Sequence, residues 1–443
     1  MRRPARQHHS PRARAGRFVT GLAALGLVTM AACSDESTSA TTSTSTTVAP
    51  STTVRTDDGA LVIGVVAPTS GAAAGIGASV RDGGARAVGL INESGGVGGQ
   101  AVRLIERDEG DNAATAALAI QDMVDLGADA VIGPTSSLNV LATLSTAVDN
   151  GMLVCSPTAT AMALDDFPDD GLFVRTVPSD AMQALAIGAL VEQTGNERIS
   201  VVHIDDEYGR GLAMAVTAAI EARGSSVLSV SAFSATEASI AAVVDRVQVD
   251  EAEVVVVLAD GSSGPAVITA IDDAADDTPR ADGDAPEPQF IVNDAIRRPL
   301  DQTAPFDSDL SGRITGVSPV TYPSEAFLLD LHQQVDPDTD GPFAQNAYDC
   351  AVALALAAES AGGSSPREIS VRLADVTTSG TQCSTFAECL DELRSGRNID
   401  YDGPGNSLGI GLDGELTSAY FDRFTFDISG RDVDAGFIAI GDD

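Results

Sequence analysis

From Ala60 onward, short apolar runs alternate with stretches whose apolar positions recur every three or four residues. The runs LVIGVVAP, AVRLIERD, DAVIGP and MLVCSP read as strands. The periodic stretches between them predict helices up to about 92, over 112–126 and over 137–150. After FVRTVPS a second series begins, with Ser179 and Asp180 capping a helix that runs to about 194. Its strands are ISVVHIDD, SVLSVSAFS, EVVVVLAD and QFIVND, again separated by helical stretches. Apolar strands alternating with helices imply parallel sheets covered on both faces, and two series imply two doubly wound α/β lobes. Residues 276–289 are acidic and proline-rich and predict a surface insertion. Further helices are expected near 324–334, 343–361 and 366–373, followed by a polar stretch holding two cysteines.

The stretch from Ala130 to Thr160 organises the first series. Its first apolar run stops at Gly133-Pro134, and Thr135, Ser136 and Ser137 then open a helix on which Leu141, Leu144 and Val148 share a face. A helix start leaves backbone N–H groups unpaired, and serines beside it add hydroxyls, so it suits a small anion such as a carboxylate. The second run, from Met152 to Cys155, ends in Ser-Pro-Thr-Ala-Thr and brings more hydroxyls to the carboxyl end of a neighbouring strand. Ligands of open parallel sheets sit at that edge. This is half of a small-molecule cleft.

The amino terminus changes the compartment. Six arginines up to Arg17 precede an apolar run from Phe18 to Ala32, which is short for a membrane span and reads as a signal peptide over residues 1–32. Met30-Ala31-Ala32-Cys33 looks like a bacterial lipobox, with Cys33 as the lipidated residue. Residues 33–58 then form a Ser/Thr-rich tether.

Without those six arginines the chain carries 20 basic against 64 acidic side chains, which disfavours nucleic acid and anionic lipid as partners. Lysine is absent from the sequence, and that excludes a P-loop or a Schiff base. Beyond the leader the histidines are His203 and His332, far apart, and no Cys/His metal spacing occurs, so neither metal nor cofactor is expected. His203 reads as a core or strand-end residue. Outside the cytoplasm Cys383 and Cys389, six apart, predict a local disulfide. Cys155 and Cys350 either pair or stay as two buried thiols.

The passage AVGLINESGGVGGQAVRLIERDEGDNAATAALAIQDMV, the 130–160 stretch, VVHIDDEYGRGLAMAV, FIVNDA, NAYDCAVALALA and YDGPGN…LDGELTSAYFDRFTF together resemble the branched-chain amino-acid (Leu/Ile/Val) type of periplasmic binding protein. These are the type I solute receptors of ABC importers. The resemblance implies two α/β lobes joined by three crossovers, the first about 59–177 plus 318–404 and the second about 178–317 plus 405–443, with ligand between them. It implies that Ser137 binds a ligand carboxylate and that Thr158, Ala159 and Thr160 hold carboxylate and ammonium. Tyr208 would be the aromatic of the second lobe, and Asp294 the acid that takes the ammonium.

Two family aromatics are missing: Ala259 or Asp260 stands for one, and Ile76 or a neighbouring glycine for the other. The clamp for an amino acid is kept while the side-chain pocket is altered, which admits an amide, urea-like or peptide-like ligand. The expected function is that of a monomeric extracytoplasmic binding lipoprotein serving an ABC permease, with no catalysis. A surface sensor of the same fold is the alternative. A secreted hydrolase built on Ser137 lacks a base.

Overall fold

The apolar runs become the strands of two large sheets in a computed structural model that describes residues 57–71, 73–277, 287–297, 306–319, 323–339, 341–405 and 407–441. The signal segment, Cys33, the tether up to residue 56 and most of the acidic insertion (278–286) lie outside the described residues.

The first series runs β1 (Val62–Ala67), α1 (Ala74–Glu93), β2 (Arg103–Asp108), α2 (Ala113–Asp125), β3 (Ala130–Ile132), α3 (Ser137–Asp149), β4 (Leu153–Ser156) and β5 (Phe173–Arg175). Its five strands form a wholly parallel sheet in the order β2-β1-β3-β4-β5. The second series follows with α4 (Asp180–Thr194), β6 (Ile199–Ile204), α5 (Glu207–Ala222), β7 (Val227–Phe233), α6 (Glu237–Asp250), β8 (Val254–Leu258), α7 (Gly264–Asp277), β9 (Gln289–Val292), α8 (Ser308–Ser311) and β10 (Ile314–Ser318). The chain then returns to the first lobe through α9 (Glu325–Gln334), α10 (Ala344–Ala361), α11 (Pro366–Thr377), β11 (Thr381–Cys383), α12 (Phe386–Arg394) and β12 (Ile399–Tyr401). It ends in the second lobe with β13 (Ser418–Phe426) and β14 (Asp432–Gly441).

Caps mark the helix starts. The Asn112 side chain accepts from the N–H groups of Ala114 and Thr115 at 3.0 and 3.1 Å, and Asp206 accepts from Gly209 N–H at 2.7 Å. Strand β8 shows the period of two that a doubly covered sheet requires: Val255 and Val257 enter the core under α6 and α7, whereas Val254, Val256 and Leu258 enter the core under α4 and α5. Helix α10 is apolar nearly all round, is buried from Ala344 to Ala358, and fills the first lobe between α1 and α11.

The structure departs from the sequence reading in four places. Leu408, Ile410 and Leu416 are buried in the first lobe's core, so the last crossover follows residue 416 rather than 404. The segment around Cys383 and Cys389, expected as a polar loop, is ordered as β11, α12 and β12, while the disulfide between those two cysteines is as expected. The second sheet, in the order β14-β13-β10-β9-β8-β6-β7, is not wholly parallel, because β13 and β14 form an antiparallel ribbon at its edge.

Cys155 and Cys350 are not two thiols but a disulfide, with Cα atoms 5.9 Å apart and a separation of 195 in sequence. This bond ties β4 to α10 and closes a long loop, so its removal acts mainly on the unfolded chain. The Cys155→Ala/Cys350→Ala protein is expected to lose about 3 kcal/mol in urea unfolding. The Cys383→Ala/Cys389→Ala protein should lose less, because a short loop gives up less entropy.

Candidate functional site

The carboxyl edge of the first sheet is a turn that needs glycine. Gly133 has φ +101°, and a side chain there would come within 2.1 Å of the Val66 carbonyl oxygen. Beyond it the amino end of α3 is gathered round the Glu109 carboxylate. One Glu109 oxygen accepts from the N–H and hydroxyl of Thr135, at 2.7 and 2.6 Å. The other accepts from Ser136 N–H at 3.2 Å and from the Asn139 amide at 2.7 Å. The Thr158 hydroxyl donates to the Thr135 carbonyl at 2.7 Å, which fastens the loop after β4 to the loop after β3. The Ser137 hydroxyl accepts from Ala161 N–H at 3.4 Å. The N–H groups of Ser137 and Thr160 make no hydrogen bond to the described residues and remain as donors.

Arg175, at the end of β5, locks this edge from behind. Its side chain is fully buried and donates to the carbonyls of Ala159 (3.3 Å) and Ala161 (3.2 Å). It also donates to Glu415 through Nε at 3.0 Å and pairs with Asp165. One guanidinium thus joins the ligand loop to the chain just before the last crossover. Burial pushes the Glu415 carboxyl above its ordinary value, and Arg175 pulls it back.

The facing edge carries acids. Asp180, the first residue of α4, is buried; its N–H donates to the Thr160 carbonyl at 2.8 Å, which brings the Thr160 hydroxyl beside its side chain. Burial, and after it the charge of Asp294, pushes the Asp180 carboxyl up to about 7, against the help it gets from Thr160 and Arg175. Asp294 follows β9; its carboxylate accepts from the Gln183 amide at 2.8 Å, and burial raises its pKa as well. Gln183 lies one turn along α4 from Asp180 and is 1% exposed, and its own oxygen has no partner among the described residues. Tyr208 is partly exposed, and its hydroxyl accepts from Asn293 at 3.3 Å; burial, then Asp294 and Asp180, push its pKa up.

Ser137, Thr158 and Thr160 are therefore joined in one loop cluster, and Thr160 leads through Asp180 to Asp294 and Tyr208. Ala159 keeps no free polar group: it is fully buried, its N–H donates to Ser156 Oγ at 3.0 Å and its carbonyl takes Arg175. That removes it from the expected ligand set. Ala259 is equally buried. Asp260 is spent on a turn: burial opposes its ionisation, but hydrogen bonds from Ser262 and Ser263 win and hold its pKa at about 2. His203 is a strand-end residue whose Nδ1 lies 2.8 Å from the Ile204 carbonyl.

Sequence reasoning missed Glu109, Arg175, Gln183 and Glu415, and took Asp180 for a cap alone. Asp180 and Gln183 are three apart on a helix, which puts them on one face. An arginine inside the apolar run FVRTV was the other signal available.

Among the described residues no helix is long and apolar enough to cross a membrane, and no group of His, Cys, Asp and Glu is placed to hold a metal ion. The family profile described as periplasmic binding protein matches residues 60–381. The Leu/Ile/Val-binding protein BraC3 of Rhizobium johnstonii is 30% identical over 198 residues, 44% of this chain and 53% of that protein. The chain thus spans about half the length of the relatives it matches first. A leucine-, isoleucine-, valine-, threonine- and alanine-binding protein of Pseudomonas aeruginosa is 24% identical over 70% of this chain and 81% of its own. In fold, the chain is similar to an ABC transporter substrate-binding protein of Desulfitobacterium hafniense solved with Leu, at a TM-score of 0.60 and 19% identity over 85% of this chain and 99% of that one. With both sheets, the crossovers and the match over 60–381 in view, the chain belongs to the periplasmic binding protein family, in its two-lobed type I fold.

Proposed function

We propose that this protein is an extracytoplasmic solute-binding lipoprotein, anchored through Cys33, that captures a small amino-acid-like ligand between its lobes and delivers it to an ABC importer. The reading rests on one arrangement: N–H donors without acceptors on the first lobe stand across from two buried acids and the unpartnered Gln183 oxygen on the second. The N–H groups of Ser137 and Thr160 and the Ser137 hydroxyl suit the polar head of the ligand. Asp294, Asp180 and the Gln183 oxygen suit an ammonium group, and Tyr208 covers the ligand as the lobes close. Each charge-assisted hydrogen bond contributes about 1.5–3 kcal/mol. Three or four of these together with burial of the ligand, less the costs of ordering, reach the roughly −8 kcal/mol of micromolar affinity. Hinge closure then gives a permease a shape to read. The names of the relatives support an amino-acid-like ligand, and the leader and the Met30–Cys33 motif support export and anchoring.

The test is thermal denaturation with a panel of amino acids, amino amides and short peptides. A rise in melting temperature with one class is expected; no rise with any of them refutes the reading. Proton linkage gives a second measurement. Because the folded Asp180 carboxyl titrates near 7, an ammonium ligand must expel its proton at lower pH. Affinity is expected to rise with pH by up to about tenfold per unit below 7 and to level off above it. Calorimetry in buffers of different ionisation enthalpy should detect the released proton. For the empty protein the sign is opposite. A pKa raised on folding stabilises at low pH, and that contribution is lost as pH rises from the unfolded value near 4 through 7.

A further inference from the structure

Glu109 has no part in the ligand set above, yet it takes the position at which an anion binds a helix start. It is 1% exposed, follows β2 directly, and accepts four hydrogen bonds, from Thr135 (two), Ser136 and Asn139, while donating none. Acceptance from four donors is the pattern of a charged carboxylate. A helix amino end carries about half a unit of positive charge, so one full negative charge more than cancels it. The donors left for a ligand head, Ser137 and Thr160, are dipoles beside a fixed anion.

No other charge redresses this balance. No cationic side chain among the described residues hydrogen-bonds to Ser137, Thr158 or Thr160. Arg175, which does touch the ligand loop, is fully buried and already serves Asp165, Glu415 and two carbonyls. Of the charges beyond, Asp180 and Asp294 are acidic, and Arg297, whose charge reaches Asp294, is already paired with Asp422 and Asp432. A free α-carboxylate would enter a site whose nearest fixed charges share its sign, whereas a carboxamide would use the same N–H and hydroxyl groups without that repulsion.

Resting on the reading of this crevice as an amino-acid-like site, we propose that its ligand is an α-ammonium compound whose head is an uncharged carboxamide. An amino amide and the amino end of a short peptide both present that chemistry, and a free amino acid does not. Glu109 is the specificity determinant: it holds the loop in shape and turns away the carboxylate.

Calorimetry on the full chain tests this with matched sets of probes bearing aliphatic, aromatic and polar side chains, for example L-leucine, L-leucinamide and L-leucylglycine. The amide or the dipeptide is expected to bind at least about tenfold tighter than the parent amino acid. Between those two, the tighter identifies the source. In Glu109→Gln the preference should shrink because the free amino acid gains affinity. An amino acid that binds the unaltered protein as tightly as its amide overturns the inference while leaving the amino-acid-like reading intact. Failure of every probe overturns that reading and this inference with it. The comparison in the unaltered protein decides even where Glu109→Gln does not fold.

Discussion

Arg175→Met is expected to destabilise the protein by about 4 kcal/mol in urea unfolding, the largest loss we anticipate from a single substitution. Methionine fills much of the volume but leaves Asp165 and Glu415 without a cation. Their side chains are only 26% and 17% exposed, so water cannot replace the guanidinium. The carbonyls of Ala159 and Ala161 lose their donor as well. Glu415→Gln on top of Arg175→Met should recover part of the loss, because it removes one of the two stranded charges. If Arg175→Met alone were as stable as the unaltered protein, Arg175 would not be the joint between the ligand loop and the last crossover.

Asp294→Asn is expected to weaken ligand binding by about a thousandfold, close to 4 kcal/mol, since it strips a desolvated ammonium of its counter-charge. Stability should hold or rise instead. Burial already disfavours the charged form of Asp294, so a neutral side chain removes a cost from the empty fold. The substitution also lowers the Asp180 pKa from about 7, because the Asp294 charge is the second cause of its elevation. The pH profile of residual binding should therefore move to lower pH. Affinity and stability changing in opposite directions distinguish a ligand group from a packing residue. A parallel loss of both would contradict the role.

Elements whose own side chains set their period were legible in the sequence. β8 reads as a strand because every residue is apolar and both faces are covered; α3 reads as a helix because Leu144 and Val148 fall on one stripe. What could not be read depends on partners distant in sequence. Nothing near Cys155 marks Cys350 as its partner, and only the stacking of α10 on the sheet brings them together. Likewise the residues 408–416 alternate apolar side chains with glycines and show no regular element, and their placement in the first lobe is set by its core and by the Ile410 N–H bond to Thr377 of α11. The site divides the same way. Ser137, Thr160, Tyr208 and Asp294 stand at element ends that local patterns mark. Glu109 looks like any surface acid until α3 is seen to start on top of it.

The late arrival of α10 has a consequence for how the molecule is made. The first sheet is complete by residue 175, but the helix that fills its lobe begins at 344, and the second lobe's edge ribbon ends at 441. The first sheet therefore has α1, α2 and α3 against it early but lacks α10 until that late segment is made, and neither lobe can complete its core before then. Such long-range dependence makes the contacts that complete each lobe non-local and slows folding.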